Sequence, residues 1–536
     1  MIRGHNVSAA IATASPRAIE VRRLPASTTG LARLSVLSVV VVSGFVSLGV
    51  EFGASRLLAP YFGTSLYVWG VLIGLVLIYL SAGYVLGGWL ADRKPRADVL
   101  YRITAWAGLW IALIPLVSYP VLVASQQGFK TLSIGLVAGT LLAVVLLFAA
   151  PVVLLGCVSP FAIRLLLKDV ESGGNTSGRV YALSTAGSIL GTFLPVFWLI
   201  PTFGTRPTLE AFGLVLVTLS AIALWPQRKF YATFAAVVIL AWILVPAGIK
   251  APQDGQLLYE KDSAYNYIQV VQVGTRTELI LNEGMAVQSV YDPTASLTGG
   301  PWDYLLLASA FRPRQPVEQR SNSVAILGLA GGTAAREYAA AFGPGVSIIG
   351  VEIDPDIVAA AYAYLHLGDL NLHPVVADAR YWLETQAGTY DAVFIDAYRQ
   401  PYIPFHLTTR EFFASVRSHL GRGGTAVADV GHTESDYRLV DAVASTMAAV
   451  FPSVFLVDSP RYTNTLVFGT TEPATLDDVR HNLGLFSEPL AEEVASTAVG
   501  AGNLRTSPYH GQVFTDDLAP VERLIDEIIF SYVTQS

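Results

Sequence analysis

Three acids in the second half of the chain, Glu352, Asp378 and Asp396, each close an apolar run of the kind that forms a buried parallel strand. Ser347-Ile-Ile-Gly-Val351 delivers Glu352, Pro374-Val-Val-Ala377 delivers Asp378, and Tyr390-Asp-Ala-Val-Phe-Ile395 delivers Asp396. Carboxylates at the ends of parallel strands open onto the ligand crevice of such a sheet. Glu352 stands about 20 residues beyond a glycine-rich turn formed by Gly328, Leu329, Ala330, Gly331, Gly332 and Thr333, where a nucleotide-binding unit keeps the acid that takes both ribose hydroxyls. Glycines in the turn let backbone amides approach the ligand. The pattern points to a nucleoside.

The elements that must position these groups follow from the same stretch. Val324 to Gly328 reads as a strand, Ala334 to Phe342 as the helix after the turn, and Gly423 to Asp429 as a fifth strand. A helix from Ser435 to Val450 and strands at 453–457 and 466–469 then complete a seven-strand sheet whose last pair is antiparallel. Upstream, alternating runs at 267–273 and 278–281, with turn residues between them, predict a small antiparallel β-domain over 256–310. A Rossmann-like α/β domain then occupies 320–536, and 247–255 is the linker before both.

The first half is of another kind. Mean hydropathy is +0.50 and only 14% of the 536 residues are charged, which places much of the chain in lipid. A basic arm without apolar period, expected to be disordered, covers 1–30. A multi-pass α-helical membrane bundle of about six to eight helices covers 31–250. Its apolar runs are 34–50, 68–90, 103–123, 132–155 and 182–200, with shorter ones at 211–225 and 230–246. Glycines four apart, Gly70 and Gly74, Gly83 and Gly87, Gly187 and Gly191, suit close helix packing in lipid. Up to Lys250 the chain has 18 Lys and Arg against 7 Asp and Glu, and beyond it 16 against 34, so the second half would attract cations and repel nucleic acid. The single cysteine, Cys157, lies in an apolar run, and the eight histidines lack ligand spacing, so no metal site is expected.

The run Gly328 to Glu337, then Val351-Glu-Ile-Asp354, Asp378-Ala379 and Asp396, resembles the spermidine synthase family of aminopropyltransferases. Ser263-Ala-Tyr265-Asn266-Tyr-Ile268 and Glu283-Gly-Met-Ala-Val-Gln288 resemble the motifs of that family's small β-domain. Segments 83–93 and 178–191 resemble the membrane half of proteins in which a transporter-like bundle is fused to a spermidine synthase domain. The resemblance implies decarboxylated S-adenosylmethionine, or S-adenosylmethionine itself, as a cosubstrate that is not permanently bound. It also implies a small-molecule amine as acceptor and 5′-methylthioadenosine as product. Glu352 would bind the ribose, Asp378 and the Ala379 amide the adenine, and Gln288 the nucleoside side of the pocket, with Asn266 beside it. Asp396 would orient and deprotonate the amine, while Tyr265, Asp303 and Asp516 would lie toward the substrate. The chain departs from the family at Gly331 and Arg399, where acids are usual, and at Trp302-Asp303-Tyr304, where the family has Tyr-His-Glu.

Positive residues gather on one side of the predicted bundle, which puts the N-terminus in the cytoplasm. A cytoplasmic cosubstrate then calls for an even number of crossings and a cytoplasmic catalytic domain, in a cell-membrane protein whose partners are the bilayer and an amine, with a homodimer left open. Two other readings stay open here: an S-adenosylmethionine-dependent methyltransferase, and a transporter or sensor that binds a nucleoside or polyamine without turnover.

Overall fold

The computed structural model describes residues 30–62, 66–131, 136–224, 228–244, 249–282, 287–314, 322–399, 402–506 and 511–535. The basic arm before Gly30 and the Glu283 end of the β-domain motif lie outside them.

In the first half run α1 (Gly30–Phe62), α2 (Leu66–Arg93), α3 (Ala97–Thr131), α4 (Leu136–Gly156), α5 (Val158–Leu166), α6 (Gly173–Leu194), α7 (Ile200–Phe203), α8 (Thr205–Ala223) and α9 (Arg228–Leu244). With α4 and α5 joined, and α6 and α7 joined through a π-helical turn, six stretches are long and apolar enough to cross a membrane. A Cβ on Gly187 or Gly191 would come within 2.1 or 2.0 Å of the carbonyl oxygens of Val41 and Phe45, so this pair lets α6 lie directly on α1. Gly83 and Gly87 fit α2 against Val153 and Cys157 in the same way, whereas Gly70 and Gly74 meet nothing.

One end of the bundle is marked by the Tyr101 hydroxyl bonded to Ser35 at 2.9 Å and by the Arg164–Asp92 pair at 2.9 Å. The other is marked by the Tyr61 hydroxyl and Arg206, which both donate to the Ile249 carbonyl. Helix α9 packs on α8 and α3, with the rings of Trp106 and Phe234 4.9 Å apart, and brings the chain back to the Tyr61 end. Counting the 17-residue α9, which is not among those six stretches, the chain runs along the bundle seven times. The second half therefore sits at the end opposite Arg93, Lys94, Arg96 and Arg164.

Strands β1 (Gln256–Asp262), β2 (Tyr267–Val273), β3 (Arg276–Leu281) and β4 (Val287–Tyr291) form an antiparallel sheet in sequence order. It is bonded to the bundle. Arg56 donates to Asp262 at 2.9 Å, Thr205 donates to the other Asp262 oxygen at 2.6 Å, and Lys250 reaches the Pro60 carbonyl at 2.9 Å. The Arg56–Asp262 side chains are only 17% and 7% exposed.

A fully buried 3-10 helix, Pro301–Ala310, leads into the α/β domain. Its elements are β5 (Ser323–Leu327), α10 (Thr333–Phe342), β6 (Ser347–Glu352), α11 (Pro355–Tyr364), β7 (Leu372–Val376), α12 (Ala379–Thr385), β8 (Tyr390–Ile395), α13 (Arg410–Ser418), β9 (Leu420–Gly431) and α14 (Arg438–Ala448). There follow β10 (Ser453–Asp458), β11 (Asn464–Thr470), α15 (Leu476–Leu483), α16 (Pro489–Val499), β12 (Leu504–Arg505) and α17 (Val521–Gln535). The sheet order is β12-β10-β11-β9-β8-β5-β6-β7, parallel from β9 to β7 and antiparallel at β11 and β10. It has one strand more than expected, since two residues at 504–505 carry no readable alternation. The order reverses between β5 and β8. A ligand crevice opens at such a switch point, outside the carboxyl ends of the strands.

Candidate active site

The glycine turn after β5 is shaped by crowding. Gly328 has φ +98°, and a Cβ there would lie 2.1 Å from the Asp396 carbonyl oxygen, so the ends of β5 and β8 can meet only with glycine. The turn then presents the Ala330 N–H to Glu352 Oε2 at 3.0 Å, while the Asp354 N–H donates to Glu352 Oε1 at 3.1 Å. Burial outweighs these two donors and raises Glu352 to about 7. Asp378 caps α12: Oδ1 accepts the Tyr381 N–H at 2.9 Å and Oδ2 lies 3.3 Å from His406 Nε2.

Strand β4 is stitched over this turn. Gly331 N–H donates to Ser289 Oγ at 2.8 Å, and Thr333 Oγ1 takes the Val290 N–H at 2.8 Å and donates to the Val290 carbonyl at 3.0 Å. The β1–β2 turn is fixed by Asp354, whose Oδ2 accepts from Ser263 Oγ at 2.5 Å and from Asn266 Nδ2 at 3.1 Å. These bonds hold Gln288, Tyr265 and Asn266 in the wall of a cavity of about 230 Å³, together with Gly328, Glu352, Asp378, Ala379, Asp396 and Arg399. The three strand-end acids thus converge. Asn266 lines the cavity, but its amide is committed to Asp354 and to Asn282, which donates to it at 3.0 Å.

A second cavity of about 310 Å³ shares Gln288, Asp396 and Tyr398 with the first. Trp302 Nε1 donates to Asp396 Oδ2 at 3.0 Å. Asp429, at the end of β9, lines the second cavity, and Asn464 Nδ2 donates to both its oxygens at 2.9 Å. Burial raises Asp429 to about 7. Burial, then the neighbouring Asp429, holds Asp396 well above the usual carboxylate range, against the Trp302 bond and with a further push from Glu352. A cation bound at the junction would favour the ionised pair. The site is therefore suited to hold an ammonium and take a proton from it.

Other expected site residues fall elsewhere. Gly331 and Gly332 line neither cavity: Gly331 is pressed on Leu365 and Ser289, leaving no room for the acid of the resembled family, and Gly332, at φ +84°, caps α10. Asp303 also lines neither. It binds Thr298 Oγ1 at 2.9 Å and the Gly299 N–H at 3.0 Å, holding the loop before the 3-10 helix. Asp516 is spent on Arg380, through two 2.7 Å bonds, and on Thr409. Sequence reasoning missed the roles of Asp429, Trp302, Tyr398 and His406. Asp429 carried a signal, being a strand-end acid like the other three, whereas Trp302 reaches the site from the 3-10 helix at 301–310, and Tyr398 and His406 from the segment after β8, none of which has a spacing rule.

No family model matches the chain. A probable polyamine aminopropyl transferase of Bifidobacterium longum is 32% identical over 320 residues, covering 55% of this chain and 70% of that protein. A polyamine aminopropyltransferase of Oceanobacillus iheyensis is 25% identical over 325 residues, and the chain spans 61% of its length. Among solved structures, a probable spermidine synthase from Corynebacterium glutamicum aligns with 50% of this chain and 98% of its own, at 18% identity and a TM-score of 0.36.

Proposed function

The chain belongs to the polyamine aminopropyltransferase family, and from that premise we propose that it transfers an aminopropyl group from decarboxylated S-adenosylmethionine to an amine at a membrane. The observation that carries the reading is the junction at Asp396, which the nucleoside-sized cavity of Glu352 and Asp378 shares with a second cavity. In the first cavity, Glu352 takes the ribose hydroxyls, Asp378 and Ala379 the adenine, and Gln288 the face of the nucleoside toward the sulfur. In the second, Asp396 accepts a proton from the acceptor ammonium. The freed lone pair attacks the methylene beside the sulfonium, a C–N bond forms as the C–S bond breaks, and the bonding pair leaves on sulfur as neutral 5′-methylthioadenosine. Such a displacement asks the protein mainly to align amine, carbon and sulfur. The six apolar stretches support a multi-pass setting in the cell membrane.

The test is a thermal-shift and turnover comparison of the two sulfonium cosubstrates on the full chain in detergent. Stabilisation by the decarboxylated form, with 5′-methylthioadenosine released when an amine is added, is the expected result. Binding of S-adenosylmethionine alone, with no 5′-methylthioadenosine from any amine, rejects aminopropyl transfer in favour of methyl transfer.

One observation favours a second reading, a sensor or transporter that binds a nucleoside or polyamine without turnover. The path of α9 leaves the α/β domain at the end opposite the arginine- and lysine-rich segments, an end that the positive-inside rule would make extracytoplasmic, away from a cosubstrate made in the cytoplasm. A reporter joined to the C-terminus decides: activity only outside the cytoplasm, with unchanged function in cells carrying Asp396→Asn, supports binding without turnover.

A further inference from the structure

We infer that the amine accepted at the second cavity has a single cationic head and an apolar body of several carbons, and is not a diamine. The inference rests on the aminopropyl-transfer reading and adds the class of acceptor. At the junction with the nucleoside cavity stand two carboxylates, the half-buried Asp396 and the buried Asp429, and among the described residues they are the only acids lining the second cavity. An ammonium lodged there meets both and replaces the water that burial has removed from them.

Among the described residues the rest of the wall offers no second anion. Ile525, Ile528 and Ile529 come from α17 and Leu439 from α14, and the polar groups beside them, Thr433, Asn464 and His432 among them, include no carboxylate. Nearby acids are engaged outside the cavity: Asp303 holds Thr298 and Gly299, and Asp458 is paired with Arg505 and bonded by Thr465. The distal ammonium of a diamine seated at Asp396 would be stripped of water against isoleucine, with no carboxylate among the described residues to receive it. A carbon chain at the same place gains by burial.

The test separates acceptor class from turnover. With the full chain in detergent and saturated with 5′-methylthioadenosine, which cannot react, calorimetry compares n-hexylamine with putrescine and cadaverine. Hexylamine should bind at least about tenfold more tightly than either diamine. Ile528→Asp, and separately Ile529→Asp, should reduce that ratio by about tenfold by giving the distal ammonium a partner. Diamines binding as tightly as hexylamine overturn the inference. So does a hexylamine preference that neither variant changes, since it would then come from detergent partitioning. Absence of transfer to hexylamine from the decarboxylated cosubstrate, with the binding preference intact, counts instead against the aminopropyl-transfer reading.

Discussion

Replacing Asp429 with asparagine should make the protein more stable at alkaline pH and leave its stability nearly unchanged in acid. Asp429 is wholly buried and its pKa is raised from 3.8 to about 7, with burial as the first cause. The folded state therefore binds this proton more tightly than the unfolded chain does. The group favours folding while it is protonated, and that contribution is lost as pH rises from about 4 to about 7. Three units correspond to roughly 4 kcal/mol of penalty for holding the ionised form above pH 7, at about 1.4 kcal/mol per unit. Asparagine carries no such charge, but it adds an N–H next to the Asn464 amide donor, at a cost of about 1–2 kcal/mol if unsatisfied. The net gain at pH 8 is then about 2 kcal/mol, or a rise of roughly 4 °C in the melting transition of a domain this size. The assay is thermal unfolding of the detergent-solubilised chain at pH 5 and pH 8, read by tryptophan fluorescence. A variant that melts lower at pH 8, or that gains equally at both pH values, refutes the argument that burial of this carboxylate opposes folding.

Three further outcomes follow from the same contacts. Glu352→Gln should weaken binding of 5′-methylthioadenosine by about tenfold, the worth of one charge-assisted bond, and calorimetry showing unchanged affinity would remove Glu352 from the ribose site. Gly328→Ala forces a methyl group onto the Asp396 carbonyl at a positive φ; a loss of about 2–4 kcal/mol in stability is expected, and a melting temperature equal to the parent's would contradict that geometry. Arg56→Met leaves Asp262 partly stranded at the joint between bundle and β-domain, so limited proteolysis in the linker before β1 should accelerate about tenfold or more, corresponding to the loss of a few kcal/mol. Unchanged cleavage would show that the joint does not depend on this pair.

The half of the site proposed to take the nucleoside was legible as strand ends in the sequence because its parts lie close together and obey a period. A buried strand and its glycine turn stand at 324–332, and buried strands followed by an acid recur at 347–352, 372–378 and 390–396. Seven of the eight sheet strands were readable by the same rule, while β12, two residues long, had no pattern to show. The acceptor half was not legible. Asp303 and Asp516 were picked because their neighbours match a motif, yet the local loops use both carboxylates to bind Thr298 and Arg380. Trp302 and the isoleucines of α17 reach the site only through tertiary packing. The path of α9 was not legible for a related reason: at 17 residues it reads as too short to settle from sequence, and only its packing on α3 and α8 shows where it runs.

Product analysis by mass spectrometry tests the central claim most directly: purified chain, decarboxylated S-adenosylmethionine and an amine, with Asp396→Asn in parallel. The account predicts an amine extended by one aminopropyl unit and an equal amount of 5′-methylthioadenosine from the parent, with release reduced at least about 100-fold in the variant, although both bind 5′-methylthioadenosine alike. Equal product from Asp396→Asn, or no extended amine although the cosubstrate binds, would contradict it.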